Sequence, residues 1–364
     1  MRGQGHQIFV DELARFADGL VDPRVTAIAR RTAAPLRVAV RGRRGVGRRT
    51  VARALGQAGR ASGIAADLQV TSKPPDPDAD AVVYVVAEVV KPEDAHAIAD
   101  AGHPVVAVLN KADLSGRHGD GPVAAARARC ADLSALIGVP MEPMVGLLAV
   151  ATDELDDDNP LWAALHALAT QPGAAACLDG SFAGFLAADG PVPTGARQRL
   201  LDTLDLFGTA LAVAAIRQGR TPAQVRTLLR RMSGVDAVLA KVGALGAEAR
   251  YQRVLAAVAE LEALAAGGGE FGEQIGGFLS RDDTVVARMA AAVDLAEAAG
   301  LDPGGPAPAD VERDPSAHLP RAVRWQRYSR ASASDLHRAC GADIARGSLR
   351  LWSQACASLP GASW

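Results

Sequence analysis

At 364 residues, 49% of them hydrophobic, the chain has enough apolar material for two or more cored domains, which excludes a disordered polymer. Its 39 Lys+Arg and 41 Asp+Glu leave a formal net charge of -2, so no global basic field draws it to nucleic acid or anionic lipid. Cys130, Cys177, Cys340 and Cys356 form no CxxC pair, and no His stands at zinc-ligand spacing, which argues against a disulfide framework or metal site and for a reducing, cytoplasmic setting.

Residues Met1 to His6 carry no apolar signal core, so export by a secretory route is not expected. Phe9, Val10, Leu13, Phe16 and Leu20, then Val25 and Ile28, recur at helical spacing on either side of Asp22-Pro23, which predicts two lead-in helices. Leu36 to Val40 reads as a short strand, followed at once by a glycine loop and a helical stretch from Thr50 to Ala58. Buried strands are expected at Ala81 to Val86, Pro104 to Leu109 and Met144 to Val150, with helices at Pro92 to Ala101 and Val123 to Ile137 between them. Alternation of this kind implies a doubly wound, mostly parallel sheet of the α/β class.

The acidic run Asp153 to Asn159 precedes a helix from Pro160 to Leu168, where Asn159 can cap and Pro160 suits the first turn. Calcium binding is a second reading of that run, though EF-hand spacing is absent. Beyond a Gly/Ala segment the pattern becomes helix only, at 195 to 218, 222 to 243, 247 to 266 and 283 to 299, which predicts an all-α bundle. A Pro/Gly/Asp stretch from Asp302 to Pro320 separates a last helical segment, Ala333 to Leu359. The expected organisation is therefore N-terminal helices at 1–34, an α/β domain at 35–172, a linker at 173–194, a helical bundle at 195–300, a second linker at 301–320 and a helical segment at 321–364.

Two motifs carry the chemistry. Gly42-Arg43-Arg44-Gly45-Val46-Gly47-Arg48-Arg49-Thr50 keeps the GxxxxG spacing of a phosphate loop directly after a strand. Glycines there let backbone N–H groups converge on phosphate oxygens, and the helix start adds positive potential. Arg48 and Arg49 replace the usual Lys and Ser/Thr, so the hydroxyl that would hold magnesium is missing, and Thr50 lies about 100° further round the helix. Asn110-Lys111-Ala112-Asp113 ends the run Pro104 to Leu109. A carboxylate at Asp113 can accept from the N1–H and amino group of guanine, a donor pair that adenine lacks. The stem of Lys111 can lie along the base, and Asn110 can tie this loop to the glycine loop.

With these motifs, residues 35 to 172 resemble the P-loop GTPases of the Era and translation-factor type, whose NKxD motif is matched in full. The resemblance implies that Gly42, Gly45 and Gly47 line the phosphates beside Arg48 and Arg49, and that Thr50 reaches the α-phosphate. It implies that Asn110, Lys111 and Asp113 select guanine, and that Gly146, in Val145-Gly146, presents its N–H to guanine O6. The expected cofactor is GTP or GDP, with magnesium left open. The departures are equally specific. Leu68 to Pro75 stands where a DxxG motif belongs, and Gly59 to Asp80 is too short to add a switch threonine, so nothing senses a γ-phosphate and little or no hydrolysis is expected. Arginines 41, 43, 44, 48 and 49 could offset polyphosphate charge in place of a metal, with Arg43 and Arg44 each read as more often solvent-facing.

The helical half loosely resembles the stalk-like bundles of bacterial dynamin-related GTPases, an analogy of architecture without a matched motif. Trp325 and Tyr328 among Arg321, Arg324, Arg327 and Arg330 read as a packed helix with a solvated basic face, or as a contact surface. The functional expectation is a guanine-nucleotide-binding, pseudo-GTPase protein acting through a protein partner, either a sibling GTPase or a second copy. A GTPase active only in a complex and a scaffold without nucleotide are the alternatives. Nucleic acid is not an expected partner, and peripheral membrane contact stays open.

Overall fold

The computed structural model describes residues 4–68, 78–116, 121–152, 155, 159–171, 178, 181–190, 192–301 and 315–357. They fall into two compact units, one spanning Leu36–Val242 and the other built from Met1–Pro35 with Gly243–Trp364.

The first unit holds a five-stranded, wholly parallel sheet in the order β2-β1-β3-β4-β5, formed by β1 (Leu36–Gly42), β2 (Ile64–Leu68), β3 (Ala81–Ala87), β4 (Val105–Asn110) and β5 (Met141–Met144). β3 and β4 are runs of Val, Ala, Tyr and Leu buried on both faces, the composition a central parallel strand requires. Around the sheet lie α3 (Arg48–Gly59), α4 (Pro92–Ala99), α5 (Pro122–Ile137), α6 (Gly146–Ala151), α7 (Pro160–Thr170), α8 (Phe182–Ala187), α9 (Thr194–Arg217), α10 (Pro222–Ser233) and α11 (Val235–Leu245). The Asn159 side chain accepts from the Leu161 N–H and Pro160 opens α7, so the local chemistry read from the sequence fixes that helix start.

Three sequence expectations need correction. Met144 to Val150 is not a strand: β5 ends at Met144 and Gly146–Ala151 is helix α6. Apolar runs this short have no resolvable period, and Leu147-Leu148-Ala149 favours helix. Strand β2, on the sheet edge beside β1, had no counterpart in the sequence reading because Ile64-Ala65-Ala66-Asp67-Leu68 is rich in alanine and short of β-branched side chains. The bundle assigned to 195–300 is divided in space. Leu200, Leu204, Ala212, Val225 and Leu229 of α9 and α10 share one core with Tyr84, Val86 and Leu109 of the sheet, so residues 194–242 belong to the α/β unit.

The helical unit comprises α1 (Gly5–Leu20), α2 (Pro23–Thr32), α12 (Ala247–Ala265), α13 (Gly269–Ser280), α14 (Asp282–Ala298), α15 (His318–Ala331) and α16 (Asp335–Ala357). Asp22 caps α2 through the Arg24 and Val25 N–H groups, with Pro23 at its first position, as the Asp22-Pro23 signal predicts. Phe9, Leu13, Tyr251, Leu261, Phe278, Trp325 and Ile344 form the core, and the Phe16 and Phe278 rings stack at 4.2 Å. Alanines 287, 291, 292 and 296 line the buried side of α14, so its neighbours approach closely, the packing expected of an alanine-rich, aromatic-poor chain. Of the linker expected at 301–320, residues 302–314 lie outside the described residues, while Pro315–Ala317 form a 3-10 turn and α15 already begins at His318.

Candidate functional site

Open parallel sheets present their ligand-binding crevice beyond the strand C-termini, where the strand order reverses. Here β1 is flanked by β2 on one side and β3 on the other, so the reversal falls at the end of β1, where the chain leaves Gly42 for the glycine loop. In register with that end are Val85 of β3, then Asn110 of β4 opposite Ala87, and Met144 of β5 opposite Asn110. The glycine loop, the Asn110 loop and the Val145-Gly146 turn therefore leave the same edge of the sheet.

Gly42 and Gly47 are required by the geometry. At φ +145°, a Cβ on Gly42 would stand 2.4 Å from the Val85 carbonyl oxygen. At φ +84°, a Cβ on Gly47 would stand 2.3 Å from Asn110 Nδ2. Gly47 is also the N-cap of α3 and supplies no side chain to cap it, and helical geometry gives the first-turn N–H groups of Arg49 and Thr50 no intrahelical acceptor.

Asn110 is the clamp. It is buried; its Nδ2 donates to the Val46 carbonyl at 2.9 Å and its Oδ1 accepts from the Gly146 N–H at 3.0 Å. One amide thus joins three loops that are separated in sequence. The same bond corrects the expectation for Gly146, whose N–H is engaged by Asn110 and so is not a free donor for a ligand carbonyl. Lys111 adopts left-handed backbone at φ 60° and is exposed, and Asp113 follows in a single 3-10 turn, Ala112–Leu114. Burial pushes the Asp113 carboxyl above its ordinary range; its own N–H lowers it, the nearby Asp205 carboxylate raises it again, and Lys111 opposes that rise.

The five arginines divide. Arg48 turns back so that Nη1 donates to the Gly42 carbonyl at 2.9 Å, bracing the loop from within. Arg43, read from the sequence as more often solvent-facing, is instead tied to the fully buried Asp94 of α4, with Nε 2.8 Å and 3.0 Å from the two carboxylate oxygens. Asp94 also accepts from the Tyr84 hydroxyl at 3.1 Å and the Lys91 N–H at 2.9 Å. Burial, reinforced by Asp94, pushes the Tyr84 phenol up to about 12, so it stays a proton donor to that carboxylate. Arg41 is buried, and its Nε and Nη1 have no hydrogen-bond partner among the described residues. Arg44 and Arg49 are exposed. The idea of five arginines offsetting phosphate charge therefore shrinks, because Arg43 is already neutralised.

Sequence reasoning missed Asp94, which looks like an ordinary acidic first-turn residue after Pro92, and Asp205, whose signal was a carboxylate inside the apolar run Leu204-Asp205-Leu206-Phe207. The stretch Gln69 to Pro75, most of the region where a DxxG motif was sought, lies outside the described residues. No group of three or more His, Cys, Asp or Glu among the described residues is placed to hold a metal. Burial pushes the Cys130 and Cys340 thiols up to about 12, so neither is a ready nucleophile. Trp325 is buried in the helical core and meets Tyr328 edge to face at 5.3 Å, which favours the packed-helix reading of that segment. Among the described residues no helix is long and apolar enough to cross a membrane.

No family model, curated protein or solved structure matches the chain.

Proposed function

We propose that the α/β unit is a P-loop-like domain that binds a guanine nucleotide, GDP or GTP, and that its phosphate site is degenerate. The observation that carries this reading is the Asn110 clamp, which sets the glycine loop and the Asp113 loop side by side at the switch point of a parallel sheet. Phosphates would sit against the first-turn N–H groups of Arg49 and Thr50 at the start of α3, with the exposed Arg49 and Arg44 side chains supplying charge. The base edge would meet Asp113, whose desolvated carboxylate gains by accepting two N–H donors. Thr50 lies with its methyl toward Gly146, 3.6 Å from where a Cβ there would be, on the same side of α3 as the clamp.

Magnesium fits this set of donors poorly. Arg49 occupies the place of the coordinating hydroxyl, and its guanidinium cannot ligate a cation. With that ligand missing and Arg48 engaged with the Gly42 carbonyl, the reading is binding with little or no intrinsic hydrolysis, so that any output passes through a protein partner.

Titration of the purified chain with fluorescent GDP, GTP and ATP, with and without EDTA, alongside a phosphate-release assay, tests the proposal. Expected are guanine selectivity, affinity that survives EDTA and negligible phosphate release. Equal binding of ATP, or no binding at all, would contradict it, the second leaving an interaction protein without nucleotide.

A further inference from the structure

Side chains alternate between the faces of a strand, and residues paired in register on neighbouring strands share a face. Arg41 of β1 is paired with Tyr84 of β3, and two residues earlier Ala39 is paired with Val82. Ala39, Val82 and Tyr84 belong to one core, so Arg41 stands on that same face, beside the phenol whose hydroxyl reaches Asp94 of α4. Arg41 is only 8% exposed, its Nε and Nη1 are buried, and neither donates to any group among the described residues. A guanidinium does not shed its proton to escape such a position, and a buried cation without an anion lowers stability.

The neighbouring carboxylate does not supply that anion. Asp94 Oδ1 accepts from Arg43 Nε and the Tyr84 hydroxyl, and Oδ2 accepts from Arg43 Nε and the Lys91 N–H, so each oxygen already has two donors. Glu93, the next acid on α4, is exposed, and its effect on Arg43 ranks behind that of Asp94. Two arginines therefore flank one buried carboxylate, an excess of one cation. Burial and Asp94 raise the Tyr84 phenol, and Arg43 and Arg41 are the cations that oppose the rise, in keeping with a guanidinium on either side of its hydroxyl. Arg43 meets Asp94 through Nε, and its two Nη groups bond to none of the described residues. Arg41 and Arg43 bracket Gly42, where β1 ends and the glycine loop begins.

We propose that Arg41, with Arg43 beside it, is a built site for a phosphoryl oxyanion at the end of β1. A phosphoryl group carries three terminal oxygens, enough to accept from both guanidinium groups at once, and its charge offsets the cation that Asp94 leaves unpaired. Free phosphate and the phosphate chain of a nucleotide share this chemistry. The site does not depend on guanine, so it stands or falls apart from the function proposed above. Its cost is borne by the empty protein: Arg41 destabilises the fold until the anion arrives, the reverse of what a structural arginine does.

The test uses the full chain as wild type, Arg41→Met and Arg41→Lys, with thermal unfolding in the absence of ligand and calorimetric titration with inorganic phosphate, pyrophosphate, GDP, GTP and ATP. Methionine is apolar and flexible enough to fill the space without charge. Arg41→Met is expected to unfold at least about 2 °C above wild type and to bind the anion about 10- to 100-fold more weakly. Arg41→Lys keeps the charge without the planar fork, so it should melt like wild type and lose about tenfold in affinity; it decides the matter if Arg41→Met does not fold. Loss confined to phosphate and pyrophosphate identifies a free anion, and loss that extends to the nucleotides identifies their phosphate chain. Wild-type affinity for all five ligands in the folded variants overturns the inference, whichever way the melting temperature moves, and guanine selectivity would then survive on its own. Binding of phosphate or pyrophosphate through Arg41 without preference for guanine over adenine nucleotides contradicts the proposed function and leaves this site in place.

Discussion

Replacing Asn110 with alanine is expected to remove guanine-nucleotide binding and to lower the stability of the α/β unit by roughly 2–4 kcal/mol. The side chain is buried, and each of its two polar atoms satisfies a backbone group of another loop, the Val46 carbonyl and the Gly146 N–H. Truncation strands both groups, and a buried orphan costs about 1–3 kcal/mol each. Loss of function should exceed what the stability change explains, because the glycine loop and the Asp113 loop are positioned relative to one another through this amide. Asn110→Asp offers no rescue, since its carboxylate would face the Val46 carbonyl without a donor. Denaturant midpoints at constant slope, read beside GDP titrations of the folded protein, separate the two effects. Wild-type stability together with wild-type affinity in Asn110→Ala would remove the clamp from the account.

The largest purely structural effect is expected in the helical unit, where Asp343→Ala should cost about 3–5 kcal/mol. Asp343 is buried on α16 and accepts from the Tyr251 hydroxyl at 2.9 Å, Arg288 Nη2 at 2.8 Å and Arg346 Nη1 at 3.3 Å. Arg346 can turn to water, but the Arg288 side chain is only 12% exposed and would be left as an unpaired charge. Burial, and then the Asp343 charge, hold the Tyr251 phenol well above its ordinary range, so it serves the network as a donor and not as an acid. Tyr251→Phe removes one neutral donor to a charged acceptor and should cost less, about 1.5–3 kcal/mol. Thermal unfolding of the two variants gives the order. Equal and small shifts would mean that the network contributes little to holding α12, α14 and α16 together.

How much of this was legible in the sequence depends on whether the signal was local. Gly42, Gly47 and Asn110 could be assigned because a tight turn, a close backbone approach and a short amide bridge each demand a particular residue type at a fixed spacing. The Asp22-Pro23 and Asn159-Pro160 caps were readable for the same reason. Met144 to Val150 was not, because a run buried on every side has no polar face to reveal its period. The partner of Arg43 is 51 residues away, on a helix whose first turn would carry acids in any case, and nothing in its neighbourhood foretells the pair. The partition of 194–242 into the α/β unit depends on which core the apolar stripes of α9 and α10 meet, a tertiary matter that amphipathicity leaves open. Gly146 shows a different limit: the sequence does not reveal that its N–H serves Asn110.

The central claim is that Asp113 reads the edge of a guanine held at this crevice, and calorimetric titration of wild type and Asp113→Asn with GDP and XDP tests it most directly. The amide exchanges an acceptor for a donor, so Asp113→Asn is predicted to lose GDP affinity on the order of 100-fold while gaining XDP, whose C2 carbonyl replaces the amino group. Unchanged GDP affinity in Asp113→Asn, with no gain for XDP, would show that the base is not read by this carboxylate and would contradict the account.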